Sequence, residues 1–262
     1  MGKHRHADVN KLSHQESGTD IDLFSLLNAC LHCCEDSEKI RSNAVRPLGI
    51  FLKLLTAAHV TEETYRVAVG QSVVLLTRLA GSGTNMKIKW NACYALGHVL
   101  SNPHLTRLPD SQYWKDCIFP TMCNLLTSCN NFKVRISVCT TLSALDSREQ
   151  YNPHFHDIVN SVLCSFAVTT HTYDIHLSSL KVTLYKTLCH FVLLLNPVDI
   201  ASQVLLSALG CHGDAVKAMV MDEELGKLRE RCRGKVAELS RVCEDSKCLD
   251  LLRVVFSEET GS

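Results

Sequence analysis

Turn-forming residues are scarce in this 262-residue chain, which contains six prolines and twelve glycines. Such a composition argues against an all-β or a disordered protein. No apolar run reaches the length of a membrane span. Lysine plus arginine and aspartate plus glutamate both total 27, so the chain lacks the basic excess of proteins that bind nucleic-acid phosphates. We therefore expect a folded helical protein with neither a membrane nor a nucleic-acid partner.

Recognisable signals of catalysis are also missing. The sequence has no HExxH motif and no nucleophile elbow, and "GSGTNMK" lacks the spacing of a phosphate-binding loop. We expect no catalytic residues, no cofactor and no metal. Two clusters, "CLHCC" at 30–34 and "NPHFHD" at 152–157, leave a metal-binding accessory protein as an alternative. Core cysteines explain the first equally well, and histidines two residues apart diverge on a helix.

Cysteine, by contrast, is abundant. The fourteen cysteines are spread along the chain, mostly inside apolar runs such as "NACYAL". Secreted disulfide frameworks are short and rich in loops, with cysteines bordering turns. The first twenty residues also lack the apolar segment of a signal peptide. We therefore expect free thiols that pack as small apolar groups, in an intracellular protein that is cytoplasmic, nuclear or both.

A repeat runs through the chain. Stretches that start at Lys39, Lys87 and Lys133 read "KIRSNAVRPLGIFL", "KIKWNACYALGHVL" and "KVRISVCTTLSAL", at spacings of 48 and 46 residues. In each, apolar residues recur at i, i+4 and i+8, which indicates one face of a helix. A weaker copy places Leu180, Leu184 and Leu188 in the same register. The predicted N-caps of the first three helices are Asp36, Thr84 and Asn130.

Each of these helices follows another apolar stretch, at 21–34, 62–80, 112–128 and 154–168. Two-helix units of about 40–47 residues are typical of HEAT and armadillo repeats. The prediction is an all-α, right-handed α-solenoid with about four repeats over 21–196, namely 21–56, 62–102, 112–147 and 154–195. Capping helices follow at 197–257, and residues 1–20 and 258–262 are predicted to be disordered. A coiled-coil dimer through the charged C-terminal stretch is an alternative that Gly226 and Gly234 disfavour.

The stretches "KIKWNACYALGHVL", "CNNFKVRISV" and "SREQY" resemble the C-terminal region of HEAT repeat-containing proteins over residues 36–152. The resemblance implies an α-solenoid without enzymatic activity, in a chain that is part of a longer protein. It does not extend to the charged region beyond Leu188. The predicted helix at 21–34 is apolar on nearly all sides, so we expect something to cover it. Further repeats N-terminal to it, a partner protein and self-association all remain open.

Two sets of polar residues recur beside the core face of the second helices. We predict that they form a ladder of hydrogen bonds between repeats; a basic strip for an acidic partner is the functional alternative. The ladder consists of Arg41, Lys89, Arg135 and Lys181, with Asn43 and Asn91.

Opposite the core, the second helices of a solenoid line its concave surface. Trp90 and Tyr94 lie there one turn apart, and aromatic residues beside arginine are typical of binding hot spots. We predict a protein-partner site formed by Trp90, Tyr94, Arg46, Ile136 and Thr140, although packing of Trp90 between helices is an equal alternative. The predicted function is a non-enzymatic scaffold or adaptor segment, or alternatively a cargo or transport receptor.

Overall fold

The computed structural model describes residues 22–82, 85–168, 175–219, 222–243 and 246–257. Over these ranges the chain forms helices and no strand, so the predicted all-α class is confirmed. The α-helices are α1 (Leu23–Cys33), α2 (Glu38–Leu54), α3 (Ala57–Thr61), α4 (Glu63–Gly81), α5 (Met86–Ser101), α6 (Ser111–Ser128), α7 (Phe132–Leu142), α8 (Phe155–Val168), α9 (Leu177–Leu194), α10 (Gln203–Lys217), α11 (Glu223–Ser240) and α12 (Lys247–Val255). Short 3₁₀-helices lie at Arg148–Tyr151 and Pro197–Ala201.

The helices are arranged in two layers. The first-helix layer contains α1, α4, α6, α8, α10 and α12, and the second-helix layer contains α2, α5, α7, α9 and α11. Within each layer every helix packs against the next one, and the most extensive contacts join α2 to α5 and α5 to α7. Across the layers α1 packs on α2, α4 on α5, α6 on α7, and α8 on α9. The three C-terminal helices α10, α11 and α12 therefore continue the two layers.

The hydrophobic core lies between the layers and follows the repeat. Its central column is buried in all four copies, at Leu48, Leu96, Leu142 and Leu188. The column that contains Ile88 is buried in α5, α7 and α9, whereas its first member, Ile40, is 42% exposed. Among the described helices, α2 has one neighbour in its own layer, α5, whereas α5, α7 and α9 each have two.

The second helices begin one residue later than the sequence pattern predicted. Asn85 caps α5 and Asn131 caps α7, and each Oδ1 accepts a hydrogen bond at 3.1 Å from the backbone N–H three residues ahead. Ser37 stands at the N-cap of α2. The reason is that a repeat of apolar residues locates the buried face of a helix but not the side chain that meets its first N–H groups. The predicted caps at Asp36 and Asn130 are wrong by one residue, and Thr84 lies outside the described residues.

The fourteen cysteines carry free thiols. Burial raises the pKa of Cys34, Cys93 and Cys139 to about 12, so these thiols stay protonated at neutral pH and pack as apolar groups. None of the described helices is both long and apolar enough to cross a membrane. The predicted segments 1–20 and 258–262 lie outside the described residues.

Candidate partner-binding site

An aromatic pair occupies the solvent-facing side of the second-helix layer. Trp90 and Tyr94 follow each other by one turn of α5, and both are half-buried. The guanidinium carbon of Arg46, on α2, lies 4.6 Å from the centroid of the Tyr94 ring. The amine of Lys133, on α7, lies 5.2 Å from the centroid of the Trp90 ring. The pair thus gathers side chains from three helices onto one surface, held by cation–π contacts.

The other two predicted site residues lie on α7 beside Lys133. Ile136 is half-buried and Thr140 is exposed, and their spacing from Lys133 places all three on one face of the helix. The Thr140 hydroxyl donates to the main-chain carbonyl oxygen of Ile136 at 3.2 Å. Trp90 and Ile136 also pack against the core, while part of each side chain stays accessible to solvent. Packing and partner contact are therefore compatible roles for Trp90.

Sequence reasoning missed His98, which lies one further turn along α5. Its ring is 4.4 Å from that of Tyr94 and nearly perpendicular to it. Burial, and then the positive charges of Lys53 and Arg46, lower the pKa of His98. Its Nε2 atom has no hydrogen-bond partner among the described residues. The spacing of four residues from Tyr94 was the available signal. We call the set Arg46, Lys53, Trp90, Tyr94, His98 and Lys133 the basic–aromatic face.

Charge is distributed unequally between the helices. Together α2, α5, α7 and α9 contain ten lysines and arginines but one carboxylate, that of Glu38. Lys39, Lys87 and Lys133 occupy equivalent positions in the first turns of α2, α5 and α7, and all three are exposed. Equal totals of acidic and basic residues over the whole chain therefore conceal a basic second-helix layer.

The predicted inter-repeat ladder is wrong for two of its basic members. Arg41 donates to three main-chain carbonyl oxygens that follow α1, at 2.8, 3.4 and 2.7 Å, and Lys89 donates to two at the end of α4, both at 3.3 Å. These bonds stay inside one helix pair, because the end of the partner helix offers unpaired carbonyls within reach. Arg135 reaches the next pair, where it donates to the carbonyl oxygen of Ser165 at 3.0 Å. Lys181 lies half-buried on α9.

The polar members of the ladder lie in different environments. Asn43 is exposed, and its Oδ1 accepts a hydrogen bond at 3.0 Å from Lys87 of the neighbouring pair. Asn91 is buried, and its Oδ1 has no hydrogen-bond partner in the part of the chain that the structure describes.

Two residues that the sequence analysis did not single out join neighbouring pairs. The amide of Asn102, at the end of α5, donates to main-chain carbonyl oxygens at the end of α2. The Thr141 hydroxyl, on α7, donates to the carbonyl oxygen of Cys93 on α5 at 2.6 Å. Asparagine directly after a helix is a common end signal, but its distant partners were not visible in the sequence.

The two clusters considered for metal binding have other contacts. His154 Nε2 lies 2.7 Å from a carboxylate oxygen of Asp116, whereas His156 Nε2 lies 2.9 Å from one of Asp199. In "CLHCC", Cys34 is buried, and the other two thiols are half-buried and pack against the core. Within the described ranges, histidine, cysteine and acidic side chains form no group of three that could hold a metal ion.

The first-helix layer has clefts on both sides of α4. The cleft between α1 and α4 has a volume of about 460 Å³, and that between α4 and α6 about 290 Å³. Two large apolar residues that line these clefts are exposed, Val74 by 58% and Tyr113 by 63%. Neither cleft has both a nucleophilic side chain and a general base among its lining residues.

No protein-family model matches the chain. An uncharacterized protein from Dictyostelium discoideum is 34% identical over 91 residues, a match that covers 31% of this chain and 6% of that protein. The chain thus spans a small fraction of the length of this relative. Two engineered proteins with crystal structures are 15% and 14% identical, with TM-scores of 0.48 and 0.41. They cover 90% and 88% of this chain, and 97% and 94% of their own.

Proposed function

We propose that this chain is a segment of a HEAT/armadillo-type α-solenoid, from a HEAT repeat-containing protein, and that it acts as a scaffold or adaptor without chemistry of its own. The period of 46 to 48 residues and the packing of each helix on the next one in its layer support this architecture. The fourteen free thiols support a place inside the cell.

One observation carries the proposed binding role: Trp90 and Tyr94 stand side by side on the second-helix layer, each with a cation from a neighbouring helix over its ring. Tryptophan, tyrosine and arginine are the residue types enriched in binding hot spots. Both rings are held by neighbours on rigid helices, so little side-chain freedom remains to be lost on binding. A protein partner would dock here, on what becomes the concave side of a solenoid.

The test compares two aromatic surfaces of the same chain. Trp90→Ala/Tyr94→Ala removes the aromatic pair, and Tyr113→Ala removes an exposed aromatic ring from the opposite layer. Partners captured from cell extracts are identified by mass spectrometry, after equal thermal midpoints have been established for all proteins. We expect the double variant to lose specific partners that wild type and Tyr113→Ala retain. A partner set unchanged by the double variant would overturn the proposal, and loss with Tyr113→Ala alone would move the binding surface to the α4 clefts.

A further inference from the structure

We propose that the partner of the basic–aromatic face is an acidic polypeptide segment with apolar side chains among its carboxylates. This inference rests on the proposed function and specifies the chemistry of what binds.

The cations of this face have no carboxylate partner among the residues that the structure describes. Arg46, Lys53 and Lys133 are exposed, and none of them forms an ion pair with another described residue. The one acidic side chain on α2, Glu38, accepts a hydrogen bond from the amide of Asn85 at 2.8 Å. Helices α5 and α7 contain no acidic residue at all. Positive charge is therefore concentrated here, and no described carboxylate neutralises it, which favours an anionic partner.

The basic–aromatic face does not extend to α9 and α11, because carboxylates of α11 pair with cations of both helices. On α9 the amine of Lys186 lies 2.6 Å from a carboxylate oxygen of Glu224, on α11. Beyond it α11 carries acidic and basic side chains in similar numbers, and three of its five cations pair with carboxylates on its own surface. The cations of the basic–aromatic face lie on α2, α5 and α7, where no described carboxylate pairs with them.

A third ring of the face lies close to the same cations. The ring of His98 lies 4.4 Å from that of Tyr94, and burial followed by the charges of Lys53 and Arg46 lowers the pKa of His98. Carboxylates of a partner that lie near Arg46 and Lys53 would offset these two charges while leaving the cation–π contact in place. An acidic segment therefore gains more at this position than on a surface where each cation is already paired.

Apolar surface distinguishes this face from a purely electrostatic one. Ile50 lies one turn beyond Arg46 and is 42% exposed, and Ile136 and the two aromatic rings add further accessible apolar area. A nucleic-acid backbone would leave these apolar side chains without a partner. A polypeptide that alternates acidic and apolar residues matches both components.

The dimensions also suit a short peptide. Helices in contact lie about 8–10 Å apart, so α2, α5 and α7 together span about 20 Å. An extended chain rises about 3.3 Å per residue and crosses this distance in about six or seven residues. Alternate side chains would face the protein, so three or four of them would contact the face.

Peptide display tests the partner chemistry directly. A random library of about twelve residues per peptide is selected on wild type and on Arg46→Glu/Lys53→Glu/Lys133→Glu. A control with the same charge change elsewhere, Arg107→Glu/Lys217→Glu/Arg253→Glu, keeps the face intact, because those residues are exposed outside the second-helix layer. We call the variant with three glutamates in the face the reversed protein. If it melts at a lower temperature than wild type, a milder variant, Arg46→Gln/Lys53→Gln/Lys133→Gln, replaces it in the comparison.

We expect peptides selected on wild type and on the control to be enriched in aspartate and glutamate with interspersed aromatic or aliphatic residues. Their Kd should rise about tenfold or more with the reversed protein, and less with the glutamine variant, because several charge pairs are lost together. Labelled single-stranded and duplex oligonucleotides are titrated in parallel at equal ionic strength.

Selection without acidic enrichment, or equal Kd values for wild type and the reversed protein, would overturn this inference. Oligonucleotide binding that is tighter than peptide binding and is lost on reversal would replace it with a nucleic-acid partner. If either happens while Trp90→Ala/Tyr94→Ala still loses its captured proteins, the proposed scaffold function stands and only the partner chemistry is wrong. If that aromatic variant keeps all its partners, the proposed function itself fails.

Discussion

Gly49 of α2 lies against Ala95 of α5 with no room for a side chain between them. A Cβ atom at position 49 would stand 2.6 Å from both the Cα and the Cβ of Ala95. Backbone therefore meets backbone at this crossing, which brings α2 close enough to α5 for Arg46 to cover the Tyr94 ring. The candidate site and this close helix crossing depend on the same pair of small residues.

The first prediction concerns this contact. Gly49→Ala should lower the free energy of unfolding by about 1–3 kcal/mol, because the added methyl overpacks the crossing, and the better helix propensity of alanine offsets only part of that. Gly70→Ala is the matched control, since a Cβ there meets no atom within 4 Å; it should be neutral or stabilise by up to about 1 kcal/mol. Urea unfolding of the three proteins checks both values. Equal losses of unfolding free energy for Gly49→Ala and Gly70→Ala would contradict the close contact between Gly49 and Ala95.

A second prediction tests the hydrogen bonds that join the first two helix pairs. The Asn102 amide nitrogen lies 3.0 Å from the carbonyl oxygen of Leu52 and 2.9 Å from that of Leu55, and both bonds are buried. Asn102→Ala should reduce the free energy of unfolding by about 1–3 kcal/mol, because buried carbonyl groups lose their donor. Asn43→Ala removes an exposed bond to Lys87 and should cost less than about 0.5 kcal/mol. If chemical denaturation shows a larger loss of unfolding free energy for Asn43→Ala than for Asn102→Ala, the assigned role of Asn102 in joining the two helix pairs is wrong.

A third prediction concerns the buried carboxylate of Asp199. It accepts hydrogen bonds from Arg148 Nε at 3.0 Å and Nη2 at 2.6 Å, and from the backbone N–H of Asn196 at 2.9 Å. Burial by itself would raise the pKa of Asp199, but these hydrogen bonds hold it below the ordinary value. The folded state therefore binds this proton less readily than the unfolded state. The resulting stabilisation is complete above the unfolded pKa of about 3.9 and is lost as the pH falls through the lower folded pKa.

Asp199→Asn should accordingly lower the free energy of unfolding by about 3–5 kcal/mol at pH 7, since it leaves the Arg148 guanidinium buried without its counter-ion. The difference from wild type should stay constant down to about pH 5 and shrink below about pH 4. Denaturation from pH 7 to pH 3 measures this, with Asp250→Asn, at an exposed pair, as the control. A difference that does not change with pH would show that the charge of Asp199 is not responsible.

The fourth prediction uses His98 as a reporter of the basic–aromatic face. Its pKa in the folded protein should lie below 6.5, because burial and the charges of Lys53 and Arg46 disfavour the imidazolium. Lys53→Met should raise that pKa, whereas Lys217→Met, on α10, should leave it unchanged. A bound acidic peptide should also raise it. Titration of the ring protons by NMR gives each value, and a pKa that is insensitive to Lys53→Met would place this cation away from the ring.

Much of the fold was accessible from the sequence, and the reason is local. The column of Leu48, Leu96 and Leu142 is spaced regularly because each helix must bury one face, and the 3.6-residue period marks that face within a single segment. The first residues of the helices were harder to predict from the sequence. Asn130 and Asn131 both have capping side chains, and only the backbone conformation shows that Asn131 accepts the bond.

The candidate site also has one part that the sequence shows and another that only the structure shows. The spacing of Trp90 and Tyr94 along one helix places them together without any knowledge of tertiary structure. The cations over the two rings could not be assigned from spacing, because Arg46 and Lys133 belong to other helices. Arg41 and Lys89 illustrate the same limit, since they bond to the nearest free carbonyl groups of their own pair.

The sequence by itself determined the helical class, the repeat period and the residues that occupy equivalent positions, among them Lys39, Lys87 and Lys133. These properties depend on contacts and preferences within about one helix length. The tertiary structure alone decided which of those residues meet across helices and where charge is left unpaired. Such contacts join residues more than forty positions apart, and they depend on how closely the helices approach and how they are rotated. Here both are set by side-chain volume at crossings such as Gly49 against Ala95.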